Sequence, residues 1–419
     1  MKTNILRLFF VLLLSNGLLA NVTLPNVISD NMVLQRNSEV TIWGWANPQE
    51  EVVITPSWNN REYKVKASNQ AKWEIKIKTL EAGGPFTISI KGYNEIVLKN
   101  ILIGEVWICS GQSNMEMSAS WGIENGDAVV KNATNPNIRF FMIPKLTATS
   151  PQNNVSGNWT ECAPETMKYF SATGYFFAKR LQEQLKNVPI GLISSNWGGT
   201  PAEIWMPEEV IQNNAVLLES AKTRKEDTYC PNQPGRAFNA MIYPLTGFKI
   251  AGVIWYQGES NVGSSVYDKI FSALITSWRK LWNYEFPFYY VQIAPYKYGE
   301  NHFGGVEIRN AQRKVLQEVA NTGMAITSDI SPIDDIHPKD KKSVGIRLAN
   351  LALVNTYKTN SDLVNGPLYK GFTIDKNKVV VAFDYAEELH FTTKKSNQFE
   401  IAGDDNVFYE AVAVIKKTL

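Results

Sequence analysis

The sequence predicts an α/β fold in which a parallel sheet is flanked by helices and accessory β-sandwich segments lie at the N- and C-termini. From about residue 21 to 100, short segments alternate apolar and polar residues. From about 101 to 360, apolar strands alternate with helical segments, and short strands return afterwards. Alternating strands and helices are typical of a parallel sheet covered on both faces, and short alternating strands are typical of a sandwich.

Residues 1–20 have the layout of a secretory signal peptide. Lys2 and Arg7 lie close to the apolar run 8–14, and the small residue Ala20 ends the segment. The run is too short to span a membrane in the mature protein. We therefore expect export to the periplasm or the medium and no membrane span after cleavage.

The region 21–100 is predicted to be an N-terminal β-sandwich domain. Its alternating pattern repeats at short intervals with turn residues between. The predicted strands are 39–45, 51–54, 63–66, 73–77 and 86–90.

The region 101–360 is predicted to be the α/β domain. Its strands are predicted at 106–109, 138–143, 190–194, 252–256, 288–293 and 324–327. Its main helices are predicted at 174–185, 267–282, 308–319 and 343–357. Ligands bind at the carboxyl ends of the strands in sheets of this kind.

The region 361–419 is predicted to contain five further strands. This C-terminal segment either forms a separate unit or completes the N-terminal sandwich. The strands are predicted at 372–374, 379–383, 389–391, 399–401 and 408–415.

The composition narrows the class of partner. The chain has 419 residues and a net charge of +2, which gives no reason to expect nucleic acid as a partner.

The three cysteines are Cys109, Cys162 and Cys230, and no Cys/His cluster has the spacing of a zinc site. An odd number excludes complete pairing, and a bridge between Cys162 and Cys230 stays open.

Ser113 is the candidate nucleophile. It lies in a small polar turn, GQSN at 111–114, directly after the apolar strand 106–109. Gly111 permits a sharp turn, and the neighbouring Gln112 and Asn114 are candidate substrate-binding residues. A serine that only completes a turn is the alternative interpretation.

His337 is the candidate base among the three histidines. It follows Asp334 and Asp335 in a loop after the last strand of the predicted sheet, and either carboxylate is close enough in sequence to orient the ring. A surface histidine beside helix-capping acids is the alternative. His302 lies in a glycine-rich loop and His390 in the C-terminal strands.

Two further loops follow strands of the same sheet. Gly199 lies in SNWGGTP at 195–201, and Gln257 lies in WYQGESN at 255–261. The backbone N–H groups near Ser113 and Gly199, with the Gln257 amide, make a predicted oxyanion hole of three donors.

Other residues near these loops are candidates for sugar binding. Trp197, Trp205 and Glu259 are assigned to substrate binding, and Trp121 is a further stacking candidate. A glycosidase that uses Glu105 and Glu259 as its carboxylate pair is a weaker alternative.

The sequence resembles the SGNH (GDSL-like) hydrolases, and within them the sialate O-acetylesterase family of carbohydrate esterases. The similar segments are GQSN at 111–114, SNWGGTPAE at 195–203, IWYQGESN at 254–261, DIHPKDK at 335–341, IRNAQ at 308–312 and LPNVISDNMVLQR at 24–36. The resemblance runs over most of the chain after the signal peptide.

The resemblance implies an SGNH-type sheet in a catalytic domain and a serine esterase that needs no cofactor or metal. It implies Ser113 as nucleophile, His337 as base, and Gly199, Gln257 and the Ser113 backbone as oxyanion donors. The superfamily spacing selects Asp334 as the acid, whereas the closer family selects Asp335. The expected substrate is an O-acetylated carbohydrate, most simply O-acetylated sialic acid. The alternatives are an acetylxylan or other plant-glycan esterase and a non-catalytic glycan-binding protein.

Overall fold

The N-terminal region consists of short strands in two sheets. The computed structural model describes residues 21–225, 227–299, 303–359, 364–405 and 407–416. The first strands are β1 (Val33–Gln35), β2 (Glu39–Trp45), β3 (Glu51–Pro56), β4 (Tyr63–Lys66), β5 (Lys72–Lys78) and β6 (Gly83–Lys91). Strand β2 pairs antiparallel with β5, and β3 pairs antiparallel with both β4 and β6. All five strands predicted in this region are present. The predicted signal peptide lies outside the described residues.

A single long strand, β7 (Glu95–Gly111), joins this region to the central sheet. Its first part pairs antiparallel with β6, and its last part pairs in parallel with strands of the α/β region. The predicted domain boundary near residue 101 therefore falls within a continuous strand.

The central sheet is parallel except at one edge. Its other strands are β8 (Asn135–Met142), β9 (Trp159–Cys162), β10 (Ile190–Asn196), β11 (Gly252–Tyr256), β12 (Phe288–Val291) and β13 (Thr322–Ala325). The order is β13-β12-β11-β7-β10-β8-β9, and only β9 is antiparallel to its neighbour. This arrangement confirms the predicted α/β fold class.

Helices cover both faces of the sheet because its strands are apolar on both faces. The helices are α1 (Ser113–Glu116), α2 (Gly126–Lys131), α3 (Pro164–Met167), α4 (Ala172–Gln184), α5 (Glu208–Gln212), α6 (Ala215–Lys222), α7 (Tyr267–Trp282), α8 (Gly304–Glu318) and α9 (Lys341–Asn355). In β7, Trp107 and Cys109 belong to a core with residues of α4 and α9, whereas Val106 and Ile108 belong to a core with residues of α7 and α8. No helix in the described ranges is long and apolar enough to cross a membrane.

The C-terminal region forms two separate hairpins. Their strands are β14 (Leu368–Asp375), β15 (Lys378–Asp384), β16 (Ser396–Ala402) and β17 (Phe408–Ala413). In the part of the chain that the structure describes, β14 pairs only with β15 and β16 only with β17, so neither hairpin extends an N-terminal sheet. The strand predicted at 389–391 is wrong. Leu389 closes a turn by donating its N–H to the carbonyl of Ala386, and no strand among the described residues pairs with this segment.

Candidate active site

The carboxyl ends of three adjacent strands form the floor of the candidate site. Strand β7 lies between β10 and β11, and Gly111 is in register with Asn196 on one side and Tyr256 on the other. The three loops that follow these strands therefore meet at one edge of the sheet, as expected for a parallel α/β fold.

Gly111 shapes the turn that carries Ser113. Its φ is +136°, and a Cβ at this position would lie 2.2 Å from the carbonyl oxygen of Tyr256. Only glycine permits this approach of two backbones. The next residue, Gln112, donates its N–H to the same carbonyl over 2.9 Å, and α1 then begins at Ser113.

Ser113 and His337 are in direct contact. The serine Oγ lies 2.9 Å from the histidine Nε2, although the residues are 224 positions apart in the chain. His337 lies in the loop between β13 and α9, and both side chains are half-buried. A hydroxyl within hydrogen-bond distance of an imidazole is the arrangement that activates a serine nucleophile.

The surroundings of His337 favour its neutral form. Burial lowers the pKa of the imidazole, the positive charge of Lys341 lowers it further, and Asp335 acts in the opposite direction. A pKa below the ordinary value of 6.5 keeps the imidazole mostly neutral at neutral pH. In the tautomer that carries its proton on Nδ1, Nε2 has a free lone pair that faces the Ser113 hydroxyl. The ring is thus able to accept the serine proton.

The two predicted acids differ in their contacts. The Asp335 carboxylate accepts the backbone N–H of His337 over 2.8 Å, whereas the side chain of Asp334 is exposed to solvent. Asp335 therefore holds the histidine loop and also places a negative charge near the ring. This geometry favours Asp335 over Asp334.

The backbone around Ser113 comes from helix α1 and from the loop after β10. Ser113 is the first residue of α1, so its own N–H has no acceptor within the helix. In the loop after β10, a Cβ on Gly198 would lie 3.2 Å from the Cβ of Ser113, and the next residue, Gly199, is exposed with a φ of +81°. The N–H of Gly198 is already used, because it donates to Oε2 of Glu116 over 2.6 Å.

The side chain of Gln257, a predicted oxyanion donor, forms its hydrogen bonds within the protein in this structure. Its Nε2 donates both hydrogens inside the protein, to Oδ1 of Asn261 over 2.7 Å and to the carbonyl of Thr200 over 3.2 Å. Its Oε1 accepts the hydroxyl of Tyr267 over 2.8 Å, which fixes the orientation of the amide. In this arrangement Gln257 joins two loops and has no N–H left for a ligand.

Most of the predicted substrate-binding residues lie in the interior in the same way. Gln112 accepts the N–H groups of Gly258 and Ser260, and Asn114 contacts Glu259, so these side chains bond to the protein itself. The fully buried residues of this set are Gln112, Asn114, Glu259 and Trp205. Trp197 is the one member that is partly exposed, and its Nε1 donates to the carbonyl of Tyr229.

The remaining candidates lie apart from this contact. Glu105 is six residues before Gly111 on the same strand, about 20 Å away at the rise of a β-strand, so it cannot pair with Glu259 as a glycosidase requires. His390 is exposed in the C-terminal region. His302 lies outside the described residues.

No disulfide links the cysteines in this structure. Cys162 and Cys230 are both free, and their thiols donate to the carbonyls of Ala133 and Gly199. Within the described ranges, no group of His, Cys, Asp and Glu residues is arranged to hold a metal ion.

A cavity of about 630 Å³ is lined by residues that neighbour the two reactive side chains, although neither Ser113 nor His337 is part of its lining. Its lining includes Glu116, one helical turn after Ser113, and two exposed aromatic residues, Trp121 and Tyr169. The ring of Trp121 meets the His337 ring edge to face, with centroids 6.5 Å apart. Sequence reasoning named Trp121 but missed Tyr169, because a tyrosine in the short connection between α3 and α4 has no distinguishing pattern.

Lys341 is the second residue that sequence reasoning missed. It lies at the end of the DIHPKDK segment and is completely buried, where its Nζ donates to Oδ1 of Asn114 over 2.6 Å. Two lysines and two aspartates in this segment suggest a solvated surface, so only the tertiary structure distinguishes Lys341 from Lys342, which is exposed.

Comparison with known proteins places the chain in a family. The family model described as "Carbohydrate esterase, sialic acid-specific acetylesterase" matches residues 103–354, more than half of the chain. Sialate O-acetylesterase of Pongo abelii is 29% identical over 90% of this chain and 79% of its own length, and that of Homo sapiens is 28% identical over the same shares. The crystal structure of a carbohydrate acetylesterase from Xanthomonas citri superposes with a TM-score of 0.85 at 32% identity, covering 94% of this chain and 89% of that one. The chain therefore belongs to the sialic acid-specific acetylesterase family of carbohydrate esterases, and its activity is that of a carbohydrate O-acetylesterase.

Proposed function

We propose that this protein removes acetyl groups from O-acetylated sialic acid, with Ser113 as the nucleophile and His337 as the general base. The observation that carries the proposal is the 2.9 Å contact between Ser113 Oγ and His337 Nε2 at the carboxyl edge of the sheet. The esterase family of the chain supplies the reaction type.

The first step transfers the acetyl group to the enzyme. His337 takes the hydroxyl proton of Ser113 while Oγ attacks the acetyl carbonyl. The carbonyl oxygen becomes an oxyanion, which the N–H groups of Ser113 and Gly199 stabilise. Each donor of this kind contributes on the order of 10²- to 10³-fold in rate. His337 then returns the proton to the departing sugar oxygen.

The second step releases acetate. A water molecule gives its proton to His337 and attacks the acetyl-serine, and the collapse of this intermediate restores the Ser113 hydroxyl. In both steps Asp335 supports the histidine, since its carboxylate accepts the backbone N–H of His337 and its charge stabilises the transient imidazolium. No cofactor takes part in these steps.

The cavity lined by Glu116 and Trp121 is the proposed sugar subsite, because Trp121 contacts the His337 ring. Its volume of about 630 Å³ accommodates a monosaccharide, and two aromatic rings, those of Trp121 and Tyr169, line it while remaining about half exposed. Sugars bind to aromatic faces through their C–H groups and to polar side chains through their hydroxyls. Ser120 of the same lining is exposed, and its hydroxyl, which bonds to that of Ser118, is a partner for a sugar hydroxyl.

O-acetylated sialic acid is the proposed substrate because the family description and the names of the vertebrate relatives both specify it. Acetylated xylan is the alternative that the experiment must separate. The arrangement of Ser113 and His337 hydrolyses either ester, so the substrate depends on the sugar subsite.

We also propose that the protein is exported. Lys2 and Arg7, the apolar run 8–14 and Ala20 have the order of a signal peptide. N-terminal sequencing of protein recovered from the periplasm or the medium tests this. Recovery of the intact N-terminus in the cytoplasm contradicts it.

The decisive experiment measures acetate release from O-acetylated sialic acid and from acetylated xylan, side by side, with Ser113→Ala as the control. We expect release from the sialic acid ester and a loss on the order of 10⁴- to 10⁶-fold in the variant. Release from xylan alone overturns the proposed substrate. Equal release by the Ser113→Ala variant overturns the mechanism.

A further inference from the structure

A buried polar cluster lies directly behind the contact between Ser113 and His337. Its three members are Asn114, Glu259 and Lys341, which come from helix α1, the loop after β11 and the start of helix α9. Each is at most 8% exposed. Burial of two ionisable groups is costly, so their presence here calls for a reason.

Asn114 is the centre of this cluster. Its Nδ2 donates to Oε1 of Glu259 over 2.6 Å and to the carbonyl oxygen of Ile336 over 2.9 Å, while its Oδ1 accepts from Nζ of Lys341 over 2.6 Å. A lysine only donates and a carbonyl only accepts, so only one orientation of the amide satisfies all three contacts.

These contacts join the two reactive segments. Asn114 follows Ser113 directly, and Ile336 precedes His337 directly. The bond from Asn114 to Ile336 therefore fixes the nucleophile's helix against the base's loop at one residue from each reactive side chain. Lys341 and Glu259 hold the Asn114 amide from its other two sides.

We propose that Asn114 and Lys341 are positioning residues, which set the distance between Ser113 and His337 through the bond to Ile336. The proposal rests on the proposed function, since it assigns these residues a role in the same reaction. It predicts that loss of the cluster lowers kcat and leaves KM nearly unchanged, because none of its members lines the sugar cavity.

Lys341 has a second effect on the base, through its charge. Burial lowers the pKa of Lys341 to about 7, against the opposing influence of Glu259, Asp335 and Asp340. Its aromatic neighbour is Tyr256, whose ring centroid is 5.3 Å from Nζ. A protonated Lys341 lowers the pKa of His337. Removal of that charge raises the pKa of His337, so the acid limb of the kcat/KM profile moves to higher pH.

The experiment compares Lys341→Met and Lys341→Gln with Lys342→Met. The matched control makes the same change at the next residue, which is exposed. Lys341→Met leaves Oδ1 of Asn114 without a donor, so we expect kcat to fall on the order of 10²-fold. Lys341→Gln supplies a neutral donor, so it recovers part of kcat, but its acid limb stays shifted. The control keeps the parent profile.

Asn114→Asp tests the amide itself. The substitution is nearly isosteric, but it replaces the two donated hydrogens with an oxygen that faces the Ile336 carbonyl and the Glu259 carboxylate. We expect kcat to fall by a similar factor while the thermal unfolding temperature shows that the variant is folded. A control measurement of parent and Ser113→Ala establishes independently that the serine mechanism operates.

The outcomes separate the two proposals. A fall in kcat with a parent-like KM and a shifted acid limb supports the positioning role. Folded variants at Asn114 and Lys341 with parent kcat and parent pH profile overturn it, even when Ser113→Ala is inactive. Activity that survives in Ser113→Ala overturns the proposed function instead.

Discussion

Two buried glutamates lie near the two ends of the part of β7 that belongs to the central sheet. On the amino side, Glu105 belongs to the strand, and its two oxygens accept from Gln35 Nε2 and Arg36 Nε. On the carboxyl side, Glu259 comes from the adjacent loop, and only its Oε1 has a partner in the described residues. Both side chains are at most 8% exposed.

The two ends therefore use a buried carboxylate differently. Glu105 and its partners join β7 to β1 and the segment after it, and no residue of this cluster contacts the site. Glu259 belongs to a cluster that contacts both reactive segments, and burial raises its pKa while it lowers that of Lys341. A fully paired carboxylate stabilises a fold, whereas incompletely compensated charges are typical of functional sites.

Replacement of the base, His337, is expected to have the largest effect on activity. His337→Ala removes the only described imidazole in contact with Ser113, so acetate release is expected to fall on the order of 10⁴- to 10⁶-fold. His390→Ala is the matched control, since that histidine is exposed and lies in the C-terminal region. Comparable losses in both variants contradict the assignment of the base.

The choice between the two aspartates gives the next largest effect. Asp335→Asn removes a charge that supports the imidazolium and weakens the bond from the backbone N–H of His337, so kcat is expected to fall on the order of 10²-fold. Asp334→Asn changes an exposed side chain and should leave kcat within about twofold. Steady-state kinetics of both variants show which aspartate supports His337. A larger loss of kcat in Asp334→Asn than in Asp335→Asn assigns the role to Asp334.

A matched pair of substitutions tests the two ends of β7 directly. Glu105→Gln weakens two charge-assisted bonds, so the free energy of unfolding should fall by about 1.5–3 kcal/mol while kcat of the folded protein stays at the parent value. Chemical denaturation and kinetics measure the two quantities. A fall in kcat without a loss of stability indicates that the amino end also acts on the site.

Glu259→Gln should have the opposite pattern. The amide keeps an acceptor for Asn114, so the unfolding free energy changes little, but the loss of negative charge lowers the pKa of Lys341 further. A neutral Lys341 no longer lowers the pKa of His337, so the acid limb of kcat/KM moves to higher pH. If Glu259→Gln keeps the parent pH profile and loses much stability, Glu259 has the same structural role as Glu105.

Replacement of Trp121 is expected to have the smallest effect. It should change the binding of the sugar and leave the chemical steps unchanged. Trp121→Ala removes an exposed ring from the cavity wall, which should raise KM for the acetylated sugar about tenfold. Turnover of a small acetate ester without a sugar should stay at the parent value. Equal losses on both substrates indicate that Trp121 acts through the His337 ring, which it contacts.

Periodicity predicted most of the fold because the central strands are apolar on both faces and their helices are amphipathic. Helix α7 was predicted with the observed bounds, Tyr267–Trp282, and β11 was predicted as Gly252–Tyr256. The strand predicted at 389–391 is wrong because an alternation of apolar and polar residues over only three positions also fits an exposed turn. A strand requires a partner, and local sequence does not reveal one.

The sequence by itself determined which residues reach the carboxyl edge of the sheet. Strand ends followed by small polar turns placed Ser113, the Gly199 loop and the His337 loop there, because parallel strands bring their following loops to one edge. It also determined the family, through segments whose combination is specific.

Only the tertiary structure decided which of these side chains point outward. In the structure, Asp335 contacts the His337 backbone and Asp334 is exposed. Both amide hydrogens of Gln257 bond within the protein. Behind the site lie three buried residues, Asn114, Glu259 and Lys341. The physical reason is that a side chain's role depends on its partners, and the partners here are far apart in sequence. Asn114 and Lys341, for example, are 227 residues apart, and their contact exists only once α1 and α9 have packed against the same sheet.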